Sequence, residues 1–177
     1  MKRNARSNVR YESIYIPPLG FDRILMESDG EFLTRLTFID ENYRLGDREE
    51  SLPIFDEVRR WLDIYFDYKV PDFTPKYKLV GLSNFTQKVI RSLENIPYGE
   101  VLTYKEVCNL LHQGANYARA IGRAISKNPI LIIIPCHRVI SASGSLTGYN
   151  GGLENKLALL RLEAYKVGTL KKEGSKR

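Results

Sequence analysis

The sequence predicts an α+β fold, in which a small N-terminal α/β domain with an antiparallel sheet precedes a mainly helical C-terminal domain that contains a helix-turn-helix. Two observations lead to this prediction. Residues 13–40 carry β-branched and aromatic residues at near-alternating spacing, which is typical of strands with one buried face. From residue 51 onward the apolar residues recur with the period of a helix, and after residue 80 this pattern dominates.

Three strands are expected near the N-terminus, in the segments "SIYIPP", "FDRILMES" and "EFLTRLTFID". Asp29-Gly30 separates the last two and is a strong signal for a hairpin turn. A helix follows, with Ser51 as its expected N-cap and Pro53 in its first turn. Its apolar face consists of Phe55, Val58, Leu62, Tyr65 and Phe66. The proline-bearing stretch "KVPDFTPKYKL" is then expected to be a linker.

Two helices are expected next in the C-terminal part. The apolar stripe of the first consists of Phe85, Val89, Leu93 and Ile96, and this helix stops at Pro97-Tyr98-Gly99. The second begins at Thr103, which has the spacing of a capping box with Glu106. Its expected apolar face consists of Val107, Leu110 and Leu111, with Cys108 buried beside it as a small hydrophobe.

A further helix spans "YARAIGRAISK" and ends before Asn128-Pro129. Together with the preceding helix it suggests a helix-turn-helix, whose second helix normally enters a DNA groove. The helix has small residues at Ala118, Ala120, Gly122 and Ala124 and basic residues at Arg119, Arg123 and Lys127. Small residues allow the helix to approach DNA closely, and basic residues bind its phosphates. An Ala-rich helix that packs on its neighbours, with its arginines in solvent, would have the same composition.

Charge is distributed unevenly along the chain. Residues 1–80 hold 13 Lys and Arg against 15 Asp and Glu, whereas residues 81–177 hold 14 against 6 and contain no aspartate. A basic half of this kind is expected of a surface that faces a polyanion, although a solvated Lys-rich surface with the basic tail "KKEGSKR" is the alternative. We find no apolar segment suited to a membrane span or a signal peptide, so a cytoplasmic location, or a nuclear one in a eukaryote, is expected.

Cys136 follows "ILIII" and Pro135, and His137 follows Cys136. The apolar run is expected to cross the interior as an extended segment, with Cys136 held at the rim of the core as either an inert thiol or a nucleophile. Direct contact with His137 would need a turn or a bridging water, because successive side chains of an extended segment point to opposite faces. The last helix is expected to bury Leu153, Leu157 and Leu160, and Glu163 continues this stripe as a carboxylate that could orient the histidine.

Several ordered motifs resemble the O6-alkylguanine-DNA alkyltransferases, also called methylated-DNA-protein-cysteine methyltransferases. They are "GEVLTYKEV", "ARAIG", Asn128-Pro129, "IPCHRVI" and "GYNGGLENK", and the resemblance spans about residues 85–164. It implies an RNase H-like N-terminal domain, which this chain matches in element order, and a winged-helix-like C-terminal domain. The expected domains are residues 1–80, with a basic N-terminal arm and the linker, residues 81–168, and a basic tail of residues 169–177.

The resemblance also implies roles for individual residues. Cys136 matches the acceptor of the alkyl group, His137 the histidine that acts on it through water, and Glu163 the carboxylate that orients the histidine. Tyr104 matches the tyrosine that assists the leaving guanine, and Asn128 the hinge between the recognition helix and the active-site segment.

The remaining matched positions belong to the substrate pocket and to the DNA-binding helix. The expected pocket residues are Leu131, Val139, Tyr149, Asn150 and Lys156. The expected DNA contacts come from Ala118, Arg119, Ala120, Gly122 and Arg123, with Arg119 filling the base stack after the nucleotide is flipped out. Tyr117 and Arg123 are bulkier than the residues of many relatives, and Leu131 occupies a position that varies beside the alkyl pocket.

The resemblance implies a monomer that repairs double-stranded DNA from the minor groove and irreversibly takes one alkyl group from O6-alkylguanine or O4-alkylthymine, without a cofactor. No metal site is expected, because the chain lacks the zinc-binding residues of some relatives. Three other functions remain open from the residues. They are a lesion-binding relative without transfer, which Cys136 argues against, a helix-turn-helix regulator, and a cysteine hydrolase built on Cys136 and His137.

Overall fold

The computed structural model describes residues 10–46, 51–144, 146 and 148–167. The predicted N-terminal sheet is confirmed as three antiparallel strands in the order β1 (Tyr11–Tyr15), β2 (Arg23–Ser28) and β3 (Leu33–Ile39). Asp29 forms the predicted turn between β2 and β3, where its Oδ1 accepts hydrogen bonds from the backbone N–H groups of Glu31 and Phe32. Gly30 has φ of +105°, a conformation that glycine adopts without steric cost.

The predicted N-terminal helix is α1 (Pro53–Phe66), and its apolar face packs in the core. Pro53 lies in the first turn as predicted, but the prediction of Ser51 as N-cap was wrong. Leu52 occupies the N-cap position without a side-chain hydrogen bond. Ser51 therefore lies one residue too far from the free N–H groups of the first turn to cap them.

The C-terminal part is mainly helical, as predicted. It consists of α2 (Asn84–Ser92), a 3₁₀ turn (Leu93–Asn95), β4 (Leu102–Thr103), α3 (Tyr104–Leu110), a 3₁₀ turn (Ala115–Tyr117), α4 (Ala118–Ile125), a 3₁₀ turn (Cys136–Arg138), β5 (Val139–Ile140) and α5 (Leu153–Val167). The two short strands β4 and β5 pair in parallel. The capping box of Thr103 and Glu106 is confirmed at the start of α3.

Two residues of the predicted apolar stripes are exposed. Phe85 is 41% exposed because the buried stripe of α2 begins one residue later, at Thr86. Leu110 is 53% exposed because the buried face of α3 is rotated toward Cys108, which is fully buried as predicted. In both helices, contact with neighbouring elements determines which residues are buried. The helical period alone predicts the position of the buried stripe only to within one residue.

The outer edge of β3 is covered by two segments from later in the chain. Leu33 exchanges backbone hydrogen bonds with residues 76 and 78, so the stretch predicted as a linker is packed against the sheet at this point. Leu36 N donates to Pro129 O, and Leu131 N donates to Leu36 O, at 2.8 Å each. The segment before Cys136 is therefore fixed on the N-terminal sheet, and a single apolar core extends through both halves of the chain.

Within the described residues, no helix is long and apolar enough to cross a membrane. The predicted basic arm, apart from Arg10, and the basic tail lie outside the described residues. The predicted boundary at residue 80 stays a prediction.

Candidate active site

The segment that leads to Cys136 is a tight buried turn, so the predicted extended conformation of Ile130–Ile134 was wrong. Ile134 N donates to Ile130 O at 3.1 Å, and Ile132 has φ of +70°. A β-branched residue seldom adopts this left-handed conformation, and here it is held by complete burial. The apolar run thus lies in the interior as predicted, but it turns back on itself before Pro135.

Asn128 connects the end of α4 to this turn. Its Oδ1 accepts a hydrogen bond from Ile130 N at 3.0 Å, and its Nδ2 donates to Ile134 O at 3.0 Å. The same Nδ2 lies 3.1 Å from Sγ of Cys136. Since Asn128 is itself 1% exposed, its amide fixes both the turn and the thiol relative to the helix.

Cys136 begins the 3₁₀ turn Cys136–Arg138 and is buried. Burial raises the pKa of its thiol to about 11, because an anion loses its hydration there, although Asn128 and Lys156 favour the thiolate. The resting thiol is therefore protonated at neutral pH. A reaction at Sγ consequently needs a base that removes the proton as the new bond forms.

His137 and Glu163 form a buried pair next to the thiol. His137 Nε2 lies 2.7 Å from Glu163 Oε1, and both side chains are at most 1% exposed. The contact with His137 and the hydrogen-bonded guanidinium of Arg138 hold the pKa of Glu163 far below its usual range, so it is a carboxylate and can only accept. Nε2 therefore carries the proton, which leaves Nδ1 as the basic nitrogen. This Nδ1 is buried without a hydrogen-bond partner in the described part of the chain.

Burial lowers the pKa of His137, while Glu163 raises it. The neutral ring is thus maintained at neutral pH and can accept a proton at Nδ1. Among the residues that the structure describes, Cys136 Sγ and the ring of His137 are not hydrogen-bonded. A proton therefore has no direct path from the thiol to the ring. The 3₁₀ turn Cys136–Arg138 does not by itself bring the two groups into hydrogen-bond contact, and the bridging water stays a prediction.

Three further donors reach Glu163, and the sequence analysis identified none of them. Arg138 donates from Nη2 to Oε1 and from Nε to Oε2, at 2.9 Å each. Tyr65 of α1 lies with Oη 2.6 Å from Oε1, and Gly99 N donates to Oε2 at 3.3 Å. Arg138 stands in the quoted motif "IPCHRVI", so a cation in a buried run was a usable signal for a carboxylate partner. Tyr65 gave no such signal, since its partner lies 98 residues away.

The buried face of α5 differs from the predicted stripe. Leu153 and Leu157 are exposed, at 51% and 36%, and Leu160 is partly exposed. The buried residues are instead Asn155, Lys156, Leu159, Leu162 and Glu163. The prediction was wrong because it assumed that the leucines face the core, whereas the buried polar residues of α5 have hydrogen-bond partners there.

Four of the five predicted pocket residues are buried, and two of them, Tyr149 and Lys156, lie near His137. Lys156 donates from Nζ to Val139 O at 2.7 Å, and the ring of Tyr149 stands edge-on to that of His137 with centroids 6.5 Å apart. Leu131 is buried in the turn before Cys136. The fifth, Asn150, is exposed in the turn that follows Tyr149.

Gly151 packs closely against Tyr149, Phe38 and Leu131. A Cβ atom at this position would lie 2.6 Å from Tyr149, 2.7 Å from Phe38 and 2.9 Å from Leu131. These distances are shorter than real Cβ contacts, so a larger residue here would force the neighbouring side chains to shift.

Three of the five predicted DNA-binding residues lie on a surface groove beside α4. The groove is lined by Tyr104, Arg119, Gly122, Arg123, Ser126 and Gly148. Arg119 and Arg123 are exposed, and Tyr104 packs close to Gly122, where an added Cβ would lie 3.5 Å from the tyrosine ring. Ala118 and Ala120 are partly exposed on the same helix. The structure thus joins Tyr104 with the cations of α4, and Asn128 connects this surface to Cys136.

Within the residues that the structure describes, no group of three His, Cys, Asp or Glu side chains is arranged to hold a metal ion.

The sequence of the chain is similar to those of known proteins. Residues 84–165 match the family described as the DNA binding domain of 6-O-methylguanine DNA methyltransferase. The chain is 43% identical over 150 residues to the methylated-DNA-protein-cysteine methyltransferase of Mycobacterium leprae, covering 82% of this chain and 88% of that protein. It is 38% identical over 156 residues to the protein of the same name from Haemophilus influenzae, covering 86% of each.

The fold is similar to solved structures of such proteins. The O6-methylguanine methyltransferase of Mycobacterium tuberculosis superposes with a TM-score of 0.77 at 34% identity, over 89% of this chain and 94% of that one. The structure of Mycobacterium tuberculosis OGT in complex with DNA superposes with a TM-score of 0.74 at 35% identity, over 89% and 93%.

Proposed function

Because this chain belongs to the methylated-DNA-protein-cysteine methyltransferase family, we propose that Cys136 is the residue that accepts the alkyl group. The chain repairs alkylated DNA by transfer of an alkyl group to a cysteine, and it contains two cysteines, Cys108 and Cys136. The observation that carries the choice is the position of Cys136, whose thiol is held by the amide of Asn128 next to the buried pair of His137 and Glu163. Cys108 instead lies in the apolar face of α3.

The proposed reaction is one displacement. Sγ of Cys136 forms a bond to the alkyl carbon while the bond from that carbon to O6 of guanine breaks, and the electron pair of the broken bond stays on guanine. The thiol proton passes through a bridging water to Nδ1 of His137, and the hydroxyl of Tyr104 assists protonation of the leaving guanine. His137 then releases its proton to the solvent, and the solvent restores any proton that Tyr104 has given to guanine. In total a proton replaces the alkyl group on the base, so the balance needs no cofactor.

The chemistry of the product accounts for a single turnover. The transfer leaves a thioether on Cys136, which none of the acid-base groups of the site can hydrolyse. The same displacement applies to O4-alkylthymine, where the alkyl carbon is again bonded to an exocyclic oxygen. Each chain would therefore repair one lesion of either kind.

The groove beside α4 supports binding of double-stranded DNA from the minor groove. Small residues at Ala118, Ala120 and Gly122 allow close approach, and Arg119 and Arg123 supply charge for the phosphates or the stack. An alkylated base within the duplex is inaccessible to a buried thiol, so the nucleotide would flip out, with Arg119 taking its place. In this proposal α3 and α4 act as the helix-turn-helix of a winged-helix-like domain, the N-terminal part is RNase H-like, and the protein acts as a monomer.

The test is the mass of the intact protein after incubation with a duplex that contains O6-methylguanine. We expect a gain of one methyl group per chain, which peptide mapping places on Cys136, and no second gain when the duplex is in excess. Cys136→Ala should abolish the gain. The matched control Cys108→Ala should retain it, and a gain that persists in Cys136→Ala would contradict the assignment.

A further inference from the structure

The N-terminal part of the chain contributes a buried hydroxyl to the pair of His137 and Glu163. Tyr65 lies in the last turn of α1 and is 1% exposed. Its Oη lies 2.6 Å from Oε1 of Glu163, the same oxygen that lies 2.7 Å from Nε2 of His137. One carboxylate oxygen is therefore shared between a histidine of the site and a tyrosine from α1.

The direction of this hydrogen bond follows from the two ionisation states. Burial and the neighbouring carboxylate raise the pKa of Tyr65 well above its usual value, so its hydroxyl remains protonated. Glu163 is ionised and can only accept. Tyr65 therefore donates to Oε1 and takes up part of the negative charge that would otherwise act on the histidine ring.

The packing of the ring fixes the direction of the hydroxyl. The ring of Tyr65 is stacked on Trp61 with centroids 5.4 Å apart, and Tyr98 stands edge-on to it at 5.7 Å. Phe66 makes a second edge-on contact at 5.4 Å. Because these aromatic neighbours hold the ring, the hydroxyl is an oriented donor rather than one that turns freely.

We propose that Tyr65 is a positioning residue for alkyl transfer, since its hydrogen bond to Glu163 fixes the carboxylate and limits its pull on His137. The N-terminal part of the chain thereby takes part in the reaction. This inference rests on the proposed function of Cys136 and His137.

The charged and titratable groups around His137 determine what removal of the hydroxyl would do. Glu163 and Lys156 face the ring from α5, Arg138 from its own turn, and Tyr149 from the loop before α5. Tyr65→Phe leaves all four in place and removes only the donor to Oε1. The carboxylate then attracts a proton on His137 more strongly, so the pKa of His137 should rise and its basic form should be available only at higher pH.

The experiment compares the full-length chain with Tyr65→Phe and with the matched control Tyr15→Phe. Tyr15 is also buried, and its hydroxyl donates at 2.8 Å to Asp63 of α1 rather than to Glu163. Rates of methyl transfer are measured by intact mass across pH, on an O6-methylguanine duplex and on a free O6-alkylguanine base. The pKa of His137 is measured by NMR, with His112→Gln to assign the two histidine signals.

We expect Tyr65→Phe to slow transfer about tenfold on both substrates, because the loss of a hydrogen bond to a charged group acts on the chemical step. The acid limb of its rate profile and the pKa of His137 should both move to higher pH, and Tyr15→Phe should change neither. Rates and a His137 titration for Tyr65→Phe that equal those of Tyr15→Phe would overturn the inference.

Two further arms keep the inference separate from the proposed function and from a folding defect. If the wild-type chain gains no methyl group, the proposed function fails, and the titration of His137 still decides whether Tyr65 acts on it. If Tyr65→Phe does not fold, 3-fluorotyrosine at position 65 supplies a stronger donor, and the pKa of His137 should then fall. An unchanged titration in that protein would overturn the inference.

Discussion

Oε1 of Glu163 and Nε2 of His137 lie 2.7 Å apart in the interior, where both side chains are shielded from water. An ionised carboxylate is costly to bury without partners, and this one accepts hydrogen bonds from Arg138, Tyr65 and a backbone N–H as well. The consequence is a histidine with a defined tautomer, whose Nδ1 is left to act as the base. Because His137 directly follows Cys136 in the chain, the proposed alkyl transfer depends on this contact between His137 and Glu163.

The stability of the fold should decrease as the pH falls, because folding lowers the pKa of both His137 and Glu163. The unfolded chain binds a proton at His137 below its ordinary pKa of 6.5, and at Glu163 below 4.5, whereas the folded chain resists both. Urea unfolding at a series of pH values should therefore show that the free energy of unfolding begins to fall near pH 6.5 and falls more steeply below pH 4.5.

Glu163→Gln tests the acidic part of this dependence. The variant should be about 3 kcal/mol less stable at neutral pH, because the buried guanidinium of Arg138 loses its carboxylate partner. It should also lack the steeper loss in acid, since glutamine does not titrate. The same acid slope in the variant and the wild type would assign that slope to other carboxylates.

Arg119→Ala should slow repair in duplex DNA by at least about tenfold, while transfer from a free O6-alkylguanine base changes by less than about twofold. The reason is that an extruded base leaves a gap in the stack, which concerns only the duplex substrate. Arg161→Ala is a suitable control, since it removes the same charge from an exposed position of α5. Equal losses on both substrates would contradict the role assigned to Arg119.

DNA binding should weaken as the salt concentration rises, because contacts with phosphates release counterions. If Arg123 contacts one phosphate, Arg123→Ala should reduce the slope of the logarithm of affinity against the logarithm of salt by about 1. Fluorescence anisotropy with a labelled duplex measures this slope, and Cys136→Ala prevents reaction during the measurement. An affinity that does not depend on salt would rule out the basic groove as the binding surface.

Gly151→Ala should destabilise the protein by about 1–3 kcal/mol, because its Cβ would overlap Tyr149, Phe38 and Leu131. Transfer should slow on both duplex and free base if Tyr149 and Leu131, which the substitution displaces, line the substrate pocket as the sequence predicts. Gly46→Ala is the control, since among the described residues its Cβ would meet only Glu12, at an ordinary 3.6 Å. Thermal unfolding and transfer rates measure the two effects, and wild-type behaviour of Gly151→Ala would show that the neighbouring side chains yield.

Features that depend on neighbouring residues in the chain were predictable from the sequence. The hairpin at Asp29-Gly30, the capping box of Thr103 and Glu106, and the helical periods of α1 to α4 are determined by local backbone preferences and alternation. The family could also be identified from the sequence, because its motifs are short and keep their order. The roles of individual site residues stay predictions, although the structure brings Cys136, Asn128, His137 and Glu163 together.

The tertiary structure alone decided the conformation of Ile130–Ile134 and the buried face of α5. Five apolar residues in a row fit a strand, yet hydrogen bonds from Asn128 and pairing with Leu36 hold this run as a turn with Ile132 in a left-handed conformation. Likewise, the buried polar residues of α5 face inward because their partners come from distant segments. Local sequence thus determines the hairpin, the capping box and the helices, whereas the hydrogen-bond partners available to buried polar groups determine the turn before Cys136 and the side of α5 that faces the core. The contact between Tyr65 and Glu163 was likewise decided by the tertiary structure, since only the folded chain brings these two side chains together.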